Sequence, residues 1–503
     1  MRKNFSKSLF VLFVFFIAVI LTANVLIQGE NPSDPRIKEA DKIFAGWDKP
    51  DSPGCALGII QEGRFIYKRG YGMANLEYGI PLTSQSVFRI GSTSKQFTAM
   101  CIVLLEEEGK LSVDDNLKKY FPEMPDYAES FTIRHLLHHM SGVRDYLTLM
   151  SLTGARDDDF FTDPEVVDLI TRQKELNFAP GDEFLYSNSG YFLLAEIVKR
   201  VTGDSMRVYA EDKIFEPLGM THTHFHDDIT QIVKSRASGY GRKKGGDFWI
   251  NMTTLGMIGD GGVFTSVDDL LLWDQNFYDN KLGKANQRQI DKMLTPGVLN
   301  SGEKLDYAFG LGISEYKGLT MVSHGGAFVG FRADMIRFPE QKFSVIVLAN
   351  LGNINPSRLA RQVADIYLAD QFKPEKKKPL IKKPNKEKIE AKTGKQGKLE
   401  ILDAEQLKAY SGEYYSEELD VTYRIFFKED KLHLQHENPH RTYPRGILAL
   451  AKKDSYDVGG LLLNFDRDER NNVTSFTVNA GRVKNIRFVK KMNSDKTQAI
   501  YIV

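Results

Sequence analysis

Ser92 and Lys95 stand three residues apart in the run Phe-Arg-Ile-Gly-Ser-Thr-Ser-Lys-Gln-Phe at positions 88–97. If that run opens a helix, the hydroxyl and the amine share one face of its first turn, a pairing that can turn a serine into a nucleophile. The positive end of the helix dipole and its free N–H groups would then surround the serine, where a substrate oxygen could take up negative charge. Two other segments carry groups that such a reaction needs. Tyr186 and Asn188, in Tyr-Ser-Asn, offer a phenol and a carboxamide two residues apart. His324, followed by Gly325 and Gly326, offers an imidazole beside glycines that let a substrate approach the backbone closely.

The surrounding pattern supplies elements to hold these groups. Phe97, Met100, Cys101, Leu104 and Leu105 fall at i, i+3, i+4, i+7 and i+8, the stripe of a helix buried along one face. Gly109 is its natural stop after a Glu-rich last turn. Upstream, residues 55–61 and 64–70 predict two strands joined at Glu62-Gly63. From about 110 to 320 the pattern is mostly helical, with helices expected at 133–140, 164–173, 189–201 and 265–273. The last begins Thr-Ser-Val-Asp-Asp, a hydroxyl cap followed by first-turn acids. Strands return at 321–323, 331–338 and 343–349, the second and third antiparallel across the turn at 339–342, and a helix at 357–370 closes the unit. Strands at both ends and helices between them imply one antiparallel sheet flanked by helices, with a helical lobe inserted and a cleft between the two lobes.

In this order and setting, Ser-x-x-Lys at Ser92, Tyr-x-Asn at Tyr186 and His-x-Gly at His324 resemble the class C β-lactamase-like serine hydrolases, which include penicillin-binding proteins, D-aminopeptidases and esterases. The resemblance covers roughly residues 35–370. It extends to the stretch His-Gly-Gly-Ala-Phe-Val-Gly-Phe, to Arg-Phe-Pro-Glu and Val-Leu-Ala-Asn after it, and to Leu136, His139, Ser141 and Gly142, which are similar to the family's Leu-x-x-His-x-Ser-Gly loop. It implies an α/β, two-lobe fold and a reaction in which Ser92 forms an acyl-enzyme that water hydrolyses. Lys95 and Tyr186 would move the protons, and Asn188 would position the substrate amide or the lysine. The N–H groups of Ser92 and Ala327 would form the oxyanion hole, beside Gly325 and Gly326. Asn355 and Arg358 resemble residues that class C enzymes place near a substrate carboxylate, although Gly352 replaces an asparagine. His324 stands where most relatives have the lysine of Lys-Thr-Gly. A histidine with a pKa near 6.5 is only partly charged at neutrality, which favours neutral Lys95 as the base and Tyr186 as a proton relay. Weak or no β-lactam hydrolysis is expected, with esters or small amides preferred. Lys392-Thr393-Gly394 spells the usual third motif but lies in a Lys- and Pro-rich stretch with no strand around it, so His324 takes the role.

The rest of the 503 residues suggests further units. Arg2, Lys3 and Lys7 precede an apolar run at 9–27, so residues 1–30 are expected to be a signal peptide or an N-terminal membrane anchor. The hydrolase domain, 31–370, would then be exported, periplasmic or at the cell surface, meeting a small-molecule, peptide or cell-envelope substrate. Residues 371–399 form a polar linker. Residues 400–503 show short strands at 422–427, 431–435, 461–465, 473–478 and 485–489, an all-β barrel or sandwich with no catalytic set of its own. A formal net charge of +1 gives no pull toward nucleic acid. Cys55 and Cys101 are too few for a disulfide framework and suit buried thiols. His222, His224 and His226 alternate along one strand face, but no second cluster completes a zinc set, and no metal or cofactor is expected. The rival to the enzyme reading is a binding or sensor protein whose β module does the work. Oligomeric state has no sequence signal.

Overall fold

Residues 343–349 are a continuous apolar run, the pattern of a strand covered on both faces. In the computed structural model, which describes residues 34–284, 286–373, 402–441 and 443–491, all seven are buried. This strand lies inside a six-stranded antiparallel sheet. The strands are β1 (Cys55–Gln61), β2 (Arg64–Tyr71), β3 (Gly312–Tyr316), β4 (Leu319–Phe328), β5 (Phe331–Phe338) and β6 (Phe343–Ala349), in the spatial order β3-β4-β5-β6-β1-β2. The sheet is thus joined in its middle by pairing β1 with β6, strands from opposite ends of the unit, Cys55 opposite Ala349 and Gln61 opposite Phe343.

Period-two alternation sends Val345, Val347 and Ala349 to one face and Ile346 and Leu348 to the other. The first face packs against helices Pro35–Phe44 and Pro356–Tyr367, whose Ala40, Phe44, Leu359, Ala360, Val363 and Ala364 complete that core. The opposite face joins the core of the inserted lobe. That lobe holds α1 (Lys95–Glu107), α2 (Tyr146–Leu152), α3 (Asn188–Thr202) and α4 (Val267–Asn276). Helices expected at 133–140 and 164–173 run Ile133–Leu137 and Asp163–Thr171. The first ends early because His139 adopts a left-handed backbone, φ +58°. Cys55 and Cys101 are both buried and unpaired.

The C-terminal module is a nine-stranded antiparallel sheet. Its strands are β7 (Gly412–Ser416), β8 (Val421–Lys428), β9 (Lys431–His436), β10 (Arg445–Ile447), β11 (Ala449–Lys452), β12 (Ser455–Val458), β13 (Leu461–Arg467), β14 (Val473–Ala480) and β15 (Val483–Lys490). The edge strands β10 and β11 are separated in sequence only by Leu448, so the sheet curls almost into a barrel around Tyr414, Tyr423, Phe476 and Phe488. The module is docked onto the helical lobe. Buried Arg144 pairs with buried Glu418 at 2.5 Å, the Tyr423 hydroxyl donates to the Leu152 carbonyl at 2.6 Å, and Arg441 reaches Asp159 at 2.5 Å. The expected N-terminal segment and most of the linker, including Lys392-Thr393-Gly394, lie outside the described residues. Among the described residues no helix is long and apolar enough to cross a membrane.

Candidate active site

Ser92 sits in a 3-10 turn, Gly91–Ser94, that runs directly into α1. The turn is held from below: Ser94 Oγ donates to the Gly91 carbonyl at 2.6 Å and accepts the Val263 N–H at 3.0 Å. Thr93 Oγ1 donates to the His324 carbonyl at 3.0 Å, which ties the first motif to β4. The two segments touch so closely that a Cβ on Gly326 would stand 1.8 Å from the Ile90 carbonyl oxygen, so only glycine fits there. Ser92 opens onto a cleft of about 700 Å³, lined also by Tyr186, Asn188, Asp260, His324, Gly325, Gly326 and Ala327. The three motifs therefore meet.

Lys95 is fully buried on the first turn of α1. Its Nζ donates to Asn188 Oδ1 at 3.0 Å and to the Asp260 carbonyl oxygen at 2.5 Å, and lies 3.3 Å from Ser92 Oγ. Asn188 is the first residue of α3, and its own N–H is held by Asp145 Oδ2 at 2.7 Å. Burial pulls the Lys95 ammonium below the ordinary lysine range, opposed by the charges of Asp260 and Asp145. Burial likewise raises the Asp260 carboxyl, opposed by Lys95. Two of the three positions around Nζ face oxygens that can only accept. A neutral amine must spend its two N–H bonds on them, and its lone pair then points at the Ser92 hydroxyl.

The Tyr186 ring lies against Lys95, with Nζ 4.8 Å from its centroid. Its hydroxyl is buried and makes no hydrogen bond among the described residues, although nearby Ser92 favours the phenolate. Burial dominates and raises the phenol well above its usual value, so Tyr186 is protonated across the physiological range.

His324 differs from the sequence expectation. Burial, reinforced by Lys95, pushes it down to about 4, so it is neutral at pH 7 rather than partly charged. Its place in a hydrogen-bond chain agrees. His139 Nδ1 accepts the Ser187 N–H at 3.2 Å, which leaves Nε2–H to donate to Tyr307 Oη at 3.2 Å. The Tyr307 hydroxyl then donates to His324 Nε2 at 3.0 Å, and His324 Nδ1–H reaches the Gly325 carbonyl at 2.8 Å. Every proton in this chain is accounted for with both histidines neutral.

Asn355 lines the cleft, but its Oδ1 caps helix Pro356–Tyr367 by accepting the Arg358 N–H at 3.0 Å. Arg358 is exposed and is not among the residues lining the cleft; Ser357, one position earlier on the first turn, is. Several residues of the site carry no motif in the sequence. Asp260 lies in the Gly259-Asp-Gly-Gly262 run, whose glycines were its only signal. Tyr307 sits in a loop before β3, and Arg482 comes from the β module. His224 and His226 contact each other at 3.2 Å, and among the described residues no group of three or more His, Cys, Asp or Glu is placed to hold a metal ion.

A family profile described as Beta-lactamase matches residues 40–369. The chain belongs to the β-lactamase family. Within it, the chain is 27% identical over 326 residues to a D-aminopeptidase of Gluconobacter oxydans, covering 64% of this chain and 60% of that one. It is 32% identical over 304 residues to penicillin-binding protein 4* of Bacillus subtilis, covering 57% and 66%. The chain thus spans less than two thirds of the length of these relatives. Among solved structures, the octameric penicillin-binding protein homologue from Pyrococcus abyssi aligns with a TM-score of 0.59 at 25% identity, over 90% of this chain and all of that one. That coverage means the alignment reaches beyond the β-lactamase domain into the C-terminal module.

Proposed function

We propose that this β-lactamase-family chain is a serine hydrolase that works through an acyl-enzyme on esters, small amides or short peptides, with little turnover of β-lactams. The observation that carries this reading is the Lys95 amine, fixed by Asn188 and the Asp260 carbonyl with its remaining position on Ser92 Oγ. In acylation, neutral Lys95 takes the Ser92 proton as Oγ bonds to the substrate carbonyl carbon. The N–H groups of Ser92 and Ala327 receive the oxyanion, a role in which one donor is typically worth about 3 kcal/mol. Tyr186, protonated beside Lys95, hands a proton to the leaving group as its bond to the acyl carbon breaks and is re-protonated from Lys95. Water then attacks the acyl-enzyme by the reverse route. Neutral His324 supplies shape and no charge. The weak β-lactam expectation rests on that missing cation, since the third motif offers no ammonium for a β-lactam carboxylate. Residues 9–27 are proposed to export or anchor the domain. The relatives' names, a D-aminopeptidase and a penicillin-binding protein, support an amide or peptide substrate class.

The test is to incubate the protein with a fluorescent fluorophosphonate, a penicillin and a chromogenic ester, then locate adducts by mass spectrometry. An adduct on Ser92 and ester turnover that vanishes in Ser92→Ala are the expected results. No adduct and no turnover would end the hydrolase reading, and turnover surviving in Ser92→Ala would end this mechanism.

A further inference from the structure

Strands β14 and β15 are joined by two residues, Gly481 and Arg482, between the paired Ala480 and Val483. Gly481 takes φ +52° at the first loop position, the conformation a tight hairpin needs and glycine accepts freely. This turn projects from the β module to the mouth of the Ser92 cleft. It is pinned there through its backbone: the Arg482 carbonyl accepts Asn177 Nδ2 at 2.9 Å and the Asp145 N–H at 3.4 Å, and Asn177 Oδ1 accepts the Lys484 N–H at 2.8 Å. The Arg482 side chain is thereby free for another use. It lines the cleft, with its guanidinium carbon 4.7 Å from the centroid of the Tyr186 ring.

Three arginines line the cleft, and two are committed. Arg89 donates both terminal nitrogens to the Leu255 carbonyl, and Arg332 donates to the Val329 and Phe331 carbonyls. Arg482 makes no side-chain hydrogen bond among the described residues and remains 44% exposed. Its nearest anion, Asp145, stands at 3.7 Å with its oxygens already accepting the Asn188 N–H and the Thr148 N–H and hydroxyl. A planar guanidinium with open donors fits a carboxylate through two parallel hydrogen bonds.

We propose that Arg482 is a specificity-determining residue of the active site, supplied by the C-terminal module, and that it binds a carboxylate on the part of the substrate that lies over Tyr186. This rests on the hydrolase reading above, in which Tyr186 protonates the leaving group, and so places the carboxylate on the leaving-group side. The β module therefore has a job in the cleft: it brings a cation over the Tyr186 ring from outside the third-motif strand, which itself stays without one.

The test uses the full chain and two matched esters, one whose leaving group ends in a carboxylate and one with that group as a neutral methylamide. In Arg482→Met, kcat/KM for the acid is expected to fall about 10- to 100-fold, mainly through KM, while the methylamide changes less than about threefold. Arg482→Lys should restore part of the loss. Equal losses on both esters, or no loss on either, would overturn the proposal. Binding of the two compounds to Ser92→Ala, with and without Arg482→Met, reads the same preference without turnover. A preference for the acid that vanishes with Arg482 would uphold the carboxylate site even if no ester were hydrolysed, and no preference would overturn the site even if hydrolysis were robust.

Discussion

Glu418→Ala tests how the β module is held in place. Arg144 and Glu418 are the docking pair most completely removed from water, with side chains 0% and 6% exposed. Removing the carboxylate strands a guanidinium whose other contacts are Gln173 Oε1 at 3.1 Å and the Asn485 carbonyl at 3.3 Å, two neutral acceptors. It also removes the acceptor for the Lys174 N–H at 2.8 Å. Breaking a buried pair from one side typically costs about 3–5 kcal/mol. Replacing both members by apolar groups of similar volume is often neutral or better, so Arg144→Met with Glu418→Leu should recover part of the loss. The residual penalty comes from the orphaned Lys174 N–H and the more weakly held Arg487 N–H, 3.4 Å from Glu418 Oε2, together about 1–3 kcal/mol. Urea unfolding should be followed both by far-ultraviolet circular dichroism and by fluorescence of Trp47, Trp249 and Trp273, all of which precede the module. The expected result is a drop of about 3–5 kcal/mol for Glu418→Ala and recovery to within about 1–3 kcal/mol in the double variant. A single-variant cost under about 1 kcal/mol, or a double variant as damaged as the single, would refute the reasoning.

Tyr307→Phe removes the hydroxyl between two buried neutral histidines, leaving His139 Nε2–H and His324 Nε2 without partners. A loss of about 2–4 kcal/mol in chemical unfolding is expected, about 1–3 kcal/mol for each orphaned group within limits set by relaxation, and a change within 0.5 kcal/mol would contradict the chain. Stability should also depend on pH through these histidines. His138 and His324 are pushed by burial to about 4 from 6.5, and His139 is pushed well down, so between those values the unfolded chain binds more protons than the folded one. Stability from this source is complete above about pH 6.5 and is lost as pH falls toward about 4. Denaturation midpoints measured from pH 4 to 7 should climb with pH, and a flat profile would mean these imidazoles are not held neutral.

Much of the site was legible because its parts are local. Ser92 and Lys95 share a helical turn by spacing alone, and the glycines after His324 announce a close backbone approach, here against Ile90. The sheet was legible from both ends because β1 and β6 are plainly apolar. What stayed hidden depends on tertiary placement. His324 looked partly charged because its type sets a pKa near 6.5, and only its burial beside Lys95 shows otherwise. Asp260 contributes a backbone carbonyl, which no residue type advertises. Tyr307 reaches His324 from a loop and Arg482 reaches the cleft from a separate module, so no spacing links them to Ser92. Arg358 looked suitable by sequence neighbourhood, but the helix that Asn355 caps leaves it exposed outside the cleft lining. Strands β10 and β11 were missed because they are short and mostly exposed.

The central claim is that neutral Lys95 takes the Ser92 proton while Tyr186 stays a protonated relay. The most direct measurement is the rate of Ser92 acylation by a chromogenic ester with a good leaving group as a function of pH in the native chain, in Tyr186→Phe and in Lys95→Met. The prediction is an acid limb below the ordinary lysine pKa of about 10.4, unmoved in Tyr186→Phe, which still acylates, and abolished with acylation itself in Lys95→Met. Loss of acylation in Tyr186→Phe, or a limb that disappears with the phenol, would contradict it.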